Sequence, residues 1–419
     1  MKSSSLVLRA LATAAVFISF ASCSENLDSS GVCSVLCPAV GGEIQNITLD
    51  AIQLDTTVQA LSGLGTEPGL LLANRGDTLD TRIIVRFDSL PTKFTPTSDT
   101  AQPITSVDSA YIQLHLDTLS IRGTGPVTIE AYDVDTTAND TSTAAILALF
   151  RSDRFISSQT FARTDLKDTV NYYFSNAVLL AKIQSSSHLR IGLRATGSTS
   201  SQMDFISAEA GQPAVLYFRA TPDTMTKPLN VSLLSKTPVD ESIAATHLTD
   251  YTVIAKAPVQ APLTDLAVGG LPPTRIYVRF NIPLNIIDSS TVVRATLLLN
   301  QIPNTSIDPG DTVRLLPGLV LAGNAVKDPA KAAQIATDIA LDTVLLTPGG
   351  SGVKSVELAR AFAAWRTQSP DTTARALVLR SLTEGSSPLE VSFSSSEAAI
   401  GLRPQLRISF TPRVPLGLP

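Results

Sequence analysis

The chain has 419 residues, of which 44% are hydrophobic and only 16% charged, so it carries enough apolar surface for two or three packed cores and is not a disordered polymer. Its formal net charge is -5 and no block of Lys and Arg occurs, which excludes nucleic-acid binding through a basic footprint. Abundant Ser, Thr, Asp and Leu with few charges suit strands with one solvated face better than long surface helices.

Residues 1–22 read as a signal peptide. A short positive start with Lys2 and Arg9 precedes the apolar run 10–21, which is too short to span a bilayer needing about 20 helical residues. Without this segment, which holds those two cations and no acid, the net charge is -7. Phe20-Ala21-Ser22-Cys23 then resembles the lipobox of bacterial lipoproteins, in which the Cys becomes the lipidated first residue. Ala21 and Ser22 fit that motif, and Phe20 stands where Leu is usual. The alternative is ordinary cleavage near Ala21, with Cys23 an incidental thiol. No later apolar stretch approaches spanning length, so lipid on Cys23 is the expected membrane attachment, and the cell envelope or outer surface the expected location. Residues 23–42 form a tether holding the other two cysteines, Cys33 and Cys37. An exported compartment favours a disulfide between them. A metal pair is the rival reading, but a closed zinc site needs four ligands, and the three histidines (His115, His188 and His247) all lie elsewhere. No metal and no cofactor is expected.

Beyond the tether the chain repeats itself. Residues 81–87 read Thr-Arg-Ile-Ile-Val-Arg-Phe and residues 274–280 read Thr-Arg-Ile-Tyr-Val-Arg-Phe, an offset of 193. Phe205-Ile206-Ser207-Ala208-Glu209-Ala210 matches Phe393-Ser394-Ser395-Ser396-Glu397-Ala398 at an offset of 188. Each is followed by a proline, an apolar run and a closing Thr-Pro. The heptapeptide alternates as a strand does: Ile83, Val85 and Phe87 on one face, Arg82 and Arg86 on the other, with Ile276, Val278 and Phe280 opposing Arg275 and Arg279 in the second copy. The first set is expected in the core, the arginines toward solvent or a ligand. Residues 110–116, 127–132, 189–194, 295–299, 376–380 and 406–410 alternate similarly between Gly, Pro, Asp and Ser clusters. Helical composition is confined to residues 141–150, 170–182, 329–341 and 356–365. The prediction is a mainly β protein: two tandem β-sandwich, jelly-roll-like domains with a few short helices. They span residues 43–221 and 230–413, with a linker at 222–229 and a tail at 414–419.

At these motifs the chain resembles the DNRLRE-type domains of secreted bacterial proteins, a group related to carbohydrate-binding modules. The parts that carry the resemblance are residues 82–87, 109–116, 189–194, 205–209 and 213–216, and in the second copy 275–280, 294–299, 356–365, 376–380, 393–397 and 404–406. The Arg often found before the late Glu is Ala208 or Ser396 here, and a central Thr-Trp signature is missing. The resemblance implies a jelly-roll-like sandwich and a surface or glycan-associated role, without naming a ligand.

Several groups could carry chemistry. Arg82, Arg86, Arg275 and Arg279 could grip the carboxylates or sulfates of an acidic polysaccharide, or could simply form cross-strand ion pairs, the ordinary arrangement in sheets. Asp133, Asp135, Asn139 and Asp140 could surround Ca²⁺, or form a solvated turn, since the spacing lacks an EF-hand's glycine and terminal Glu. The single Trp365 beside Phe362 reads as core. The low aromatic content, 5%, argues against stacking on a crystalline polysaccharide. No catalytic motif is present. Glu209 and Glu397 recur as single carboxylates beside a turn, which they are expected to tie down by accepting backbone N–H groups. The sequence therefore points to a non-catalytic surface lipoprotein that binds or adheres, with acidic polysaccharide as the candidate ligand. A structural envelope scaffold contacting other proteins is the alternative, and a glycan-cleaving enzyme the third.

Overall fold

The computed structural model describes residues 43–60, 65–95, 100–135, 142–220, 229–232, 249–262, 264–338, 343–367 and 375–412. Cys23, Cys33, Cys37, the expected signal segment, Asn139 and Asp140 lie outside them. The protein is mainly β, and its two large antiparallel assemblies share one strand order.

In the first unit the order is Leu229–Ser232, Val215–Ala220, Val107–Arg122, Ser201–Ile206, Gly69–Asn74, Asp80–Phe87, Leu189–Thr196, Val127–Asp133 and Phe155–Phe161. Thr169–Tyr173 also pairs with Val107–Arg122, and Asp250–Lys256 with Asp80–Phe87. The second unit repeats this with Gln45–Leu49, Gln405–Pro412, Ser290–Ile302, Glu390–Ser394, Asp265–Gly269, Thr274–Phe280, Ala376–Ser381, Val313–Val320 and Ala336–Asp338. There Gly352–Glu357 pairs with Ser290–Ile302, and Ile52–Gln59 with Thr274–Phe280.

The long strand Val107–Arg122 links the two layers of its unit. Residues near its start pair with Val215–Ala220 and Thr169–Tyr173, and its end pairs with Ser201–Ile206. The core fills the space between. Ile83, Val85 and Phe87 enter from one layer and Ile112, Leu114, Leu216 and Phe218 from the other, all buried in one cluster. Ile276, Val278 and Phe280 take the same places in the second unit, as their alternation predicts. Trp365 is buried in that second core against Phe280 and Phe362.

The units do not follow the stretches expected from sequence. Residues 45–59 stand first in the chain but belong to the second sheet: Gln45–Leu49 pairs with Gln405–Pro412, and Ile52–Gln59 with Thr274–Phe280. Two later strands do the reverse, Leu229–Ser232 lying beside Val215–Ala220 and Asp250–Lys256 beside Asp80–Phe87. We call these segments the first and second arms. The boundaries 43–221 and 230–413 are therefore corrected at both starts, because each arm completes the other unit.

Each arm enters a slot opened by a splayed hairpin. Gly69–Asn74 and Asp80–Phe87 pair only at their turn end, Ala73 with Thr81 and Asn74 with Asp80. Backbone groups freed by the splay are satisfied by side chains, as buried polar groups require. Thr81 Oγ1 donates to the Leu71 carbonyl at 2.7 Å, and Thr252 Oγ1 of the arm accepts the Leu71 N–H at 3.0 Å. In the second unit Thr274 Oγ1 donates to the Ala267 carbonyl at 3.2 Å and Thr57 Oγ1 accepts the Ala267 N–H at 2.8 Å. An arm carboxylate then fixes the repeated late turn. Asp250 accepts the Ala208 N–H at 2.9 Å, and Asp55 accepts the Ser396 N–H at 2.7 Å and its hydroxyl at 2.5 Å. Sequence reasoning gave a turn-tying role to Glu209 and Glu397; these contacts at the same turns come from the aspartates of the arms.

The units also touch directly. Leu71, Ala73 and Leu79 pack with Leu271 and Ile307, and Arg122 meets Asp311 at 2.6 Å. The helices are shorter than their composition suggests. Residues 170–182 divide into the strand Thr169–Tyr173 and the helix Asn176–Gln184, because Val170 and Tyr172 alternate into the core. Residues 329–341 keep only one turn, Pro329–Ala332, with Pro329 at its start and Asp328 capping it.

Candidate functional site

The four arginines of the repeated heptapeptide do not form an open row. Their sheet face is covered by a second apolar layer in each unit. In the first unit Ile84, Tyr132, Val134, Ile146, Tyr251 and Val253 cluster there, joined by Phe150. Arg82 lies beneath it, 4.6 Å from the Phe150 ring centre and paired with Asp80, its side chain 12% exposed. Arg86 pairs with Asp88 at 2.9 Å. In the second unit Arg275 makes a forked contact with Glu384 at 2.8–3.1 Å and donates to the Ala333 carbonyl, while Arg279 reaches Asn324. These guanidinium groups bind their own fold. The insertions that cover them could not be placed from strand alternation alone.

The described members of the predicted oxygen cluster, Asp133 and Asp135, are likewise occupied. Lys182 Nζ lies 2.6 Å from Asp135 and 3.4 Å from Asp133, and His188 Nε2 lies 2.5 Å from Asp135. Burial pushes the Asp135 carboxyl up, but Lys182 and His188 outweigh it and hold the group below its ordinary value. Carboxylates already held by the Lys182 ammonium and the His188 ring are a poor cage for Ca²⁺. No group of three or more potential ligands is arranged for a metal among the described residues. Glu209 faces Asp250 and Glu67 inside the first unit, while Glu397 belongs to the second, so the repeated glutamates do not make a catalytic pair. Asp250 is 1% exposed and Glu67 7%.

The open chemistry lies on the other layer of the first unit. Alternation along residues 107–115 buries Ala110, Ile112 and Leu114 and turns Ser109, Tyr111, Gln113 and His115 outward. Register aligns Tyr173 and Tyr217 with Tyr111 from the two neighbouring strands, and Asn230 with Tyr217. A row Tyr173–Tyr111–Tyr217–Asn230 therefore crosses four strands. Ring centres are 5.1 Å apart for Tyr173 and Tyr111, tilted by 41°, and 5.2 Å for Tyr111 and Tyr217, stacked at 20°. Tyr173 is 52% exposed. One step along the strands, Gln113 donates to Asn171 at 3.3 Å; on the opposite side Arg219 stands in register with Ser109.

Because the rings stack on one another, much of their facing surface is used within the row. The outward surface of Tyr173 and the line of phenol hydroxyls remain for a ligand. Burial, together with the Tyr173 and Tyr217 neighbours, raises the pKa of Tyr111, while Arg219 lowers it; the hydroxyl stays protonated at neutral pH and can both donate and accept. Three of the seven tyrosines meet here, and Tyr132, Tyr172, Tyr251 and Tyr277 are buried. The second unit lacks the row: its equivalent positions carry Glu357, Thr296 and Arg407. Duplication has kept the scaffold and changed this face. The outward direction of Tyr111 was legible in the alternation, but its meeting with Tyr173 and Tyr217 depends on register between distant strands.

No family model and no curated protein matches the chain. Solved structures similar to it include the C-terminal domain of the Streptococcus pyogenes antigen I/II-family protein AspA, at 9% identity over 87% of this chain and 92% of that one, TM-score 0.17. The C-terminal domain of the Streptococcus agalactiae antigen I/II polypeptide BspA matches at 7% identity over 86% and 91%, TM-score 0.16. A T=1 particle derived from infectious bursal virus matches at 12% identity over 91% and 79%, TM-score 0.14. At such values the likeness carries no argument about activity. Among the described residues no helix is long and apolar enough to cross a membrane.

Proposed function

We propose that this protein is a non-catalytic, exported surface protein, attached through lipid on Cys23, which binds a glycan chain on the tyrosine face of the first unit. The observation that carries this reading is the Tyr173–Tyr111–Tyr217 row, an aromatic strip with three hydroxyls, flanked by the amides of Gln113, Asn171 and Asn230. Side-chain amides and phenols match a ligand rich in hydroxyls, and an exposed ring supplies a face for sugar C–H groups. The arginines that would have recognised an acidic polysaccharide are committed to Asp80, Asp88, Glu384 and Asn324, so a neutral glycan is the favoured ligand.

The test is a glycan array probed with the soluble chain and with a variant carrying Tyr111→Phe, Tyr173→Phe and Tyr217→Phe. Phenylalanine preserves the stack and deletes only the hydroxyls. Loss of even one or two hydrogen bonds of about 1 kcal/mol each should weaken binding roughly tenfold. No retention of any glycan, or equal binding by the triple variant, would overturn the assignment.

A further inference from the structure

We propose that the first arm also passes between molecules: two copies of this chain exchange residues 45–59, each filling the slot in the other's second unit. This rests on the pairing of the arms, not on the glycan reading.

The slots recognise a short sequence. The first arm carries Asp55-Thr56-Thr57-Val58 and the second Asp250-Tyr251-Thr252-Val253, three of four residues identical at an offset of 195. Their contacts are the same in kind. Asp55 holds the Ser396 turn as Asp250 holds the Ala208 turn, and Thr57 accepts the Ala267 N–H as Thr252 accepts that of Leu71. Val58 and Val253 occupy equivalent places in the apolar layers outside the two sheets.

Each arm precedes one splayed hairpin in sequence, yet fills the other. Gly69–Asn74 follows the first arm, and Asp265–Gly269 follows the second. An arm is therefore not bound to the hairpin that comes next in sequence, and its motif is accepted by the equivalent slot of the other unit. The structure already contains one reciprocal exchange, between two units of a single chain. Exchange between two chains would use the same contacts and create no new surface, which makes it a low-cost route to association.

The two arms differ in attachment. The second arm lies between Val215–Ala220 and Asp265–Gly269 and is followed and preceded by seated strands, whereas the first is followed by Gly69–Asn74 and, among the described residues, preceded by none. Withdrawing the second arm would pull on a seated strand at each end, and the first is the arm proposed to exchange. An empty slot would expose core, since Ala51 is buried with the second core and Ile47, Leu49 and Ile52 pack on it. A vacated slot therefore has a strong demand for another arm, and the copy that vacated it offers one. Because the tethered arm acts at an effective concentration of about millimolar, exchange should appear where chains are dense, as they would be on a surface.

The test uses full chains in which Cys23, Cys33 and Cys37 are replaced by serine. Leu54 and Arg279 are register partners across the arm junction, at a spacing that suits a disulfide. One isotope-labelled chain carries Leu54→Cys and an unlabelled chain carries Arg279→Cys. After co-incubation at high concentration in mild denaturant and return to native buffer with oxidant, mass spectrometry should find position 54 of one chain joined to position 279 of the other. The yield should exceed several-fold that obtained with Val353→Cys, an exposed site out of register. A single chain carrying both cysteines should link internally. Mixed linkage no higher than the Val353→Cys background, or failure of the double variant to link, would overturn the proposal.

Discussion

Replacing Asp55 by alanine removes two hydrogen bonds that close the second unit, from the Ser396 N–H at 2.7 Å and the Ser396 hydroxyl at 2.5 Å. Hydrogen bonds to a charged group contribute about 1.5–3 kcal/mol each, and the hydroxyl can turn elsewhere while the N–H has less choice. A loss of roughly 2–4 kcal/mol follows. With a urea dependence of about 1–3 kcal/mol per molar, the unfolding midpoint should fall by about 1–2 M. The chain supplies its own reporter. Trp365 is its single tryptophan and sits 2% exposed in the second core, so its fluorescence follows the unit that the first arm completes. The distance in sequence between residue 55 and residue 365 makes the experiment decisive. If the first arm were seated in the first unit, as the chain order suggests, Asp55→Ala would leave the Trp365 transition where it was, and that result would refute the exchanged topology. Asp250→Ala is the internal control. It removes one N–H contact but also relieves a carboxyl that burial has pushed up to about 7, with the Ala208 N–H opposing that rise and Glu209 adding to it. Its cost should shrink as pH rises from about 4 toward 7, the window in which the raised carboxyl holds a proton in the folded state alone.

Other outcomes can be checked in parallel. Burial raises Asp204 to about 8, with Asp117 adding to the effect, and burial raises Glu67 to about 7. Groups whose folded pKa is raised bind more protons in the folded than in the unfolded state. The stability they contribute is therefore complete below about pH 4 and is lost as pH rises to 7–8, at up to about 1.4 kcal/mol per pH unit for each. Thermal unfolding should accordingly move to lower temperature between pH 5 and pH 8, and Asp204→Asn should flatten that slope; an unchanged slope would remove Asp204 from the account. Arg275→Ala leaves Glu384, whose side chain is 8% exposed, without its forked partner, and should cost about 3 kcal/mol in urea unfolding while leaving any glycan binding by the first unit intact. Cys23→Ser should abolish incorporation of labelled fatty acid into the protein expressed in a bacterial host; retained label would place the lipid elsewhere.

How much of this was legible in the sequence depends on the range of the forces involved. The alternation of Ile83, Val85 and Phe87 is a local consequence of strand geometry, and all three lie in the core. The burial of Trp365 was legible from its place beside Phe362 on a short helix. Arg82 and Arg275 obeyed the alternation too, since they point away from the core. What lies over them, Phe150 in one unit and Ala333 with Glu384 in the other, comes from insertions whose docking no strand pattern encodes. The tyrosine row fails to appear for a related reason: residues 111, 173 and 217 become neighbours only through register, and a count of aromatics averages over placement. The arms are a different case. Asp55-Thr56-Thr57-Val58 and Asp250-Tyr251-Thr252-Val253 repeat openly, and a search for shorter matches would have found the motif. It would still not have revealed the exchange, because two equivalent arms fit two equivalent slots in either pairing. Local chemistry selects the seat, and identical chemistry in both copies leaves the choice to the path of the connections. That indifference explains why the motif could be read without the topology. It also makes a second chain's arm an acceptable substitute for the chain's own, provided the two molecules are close enough to compete with a tether.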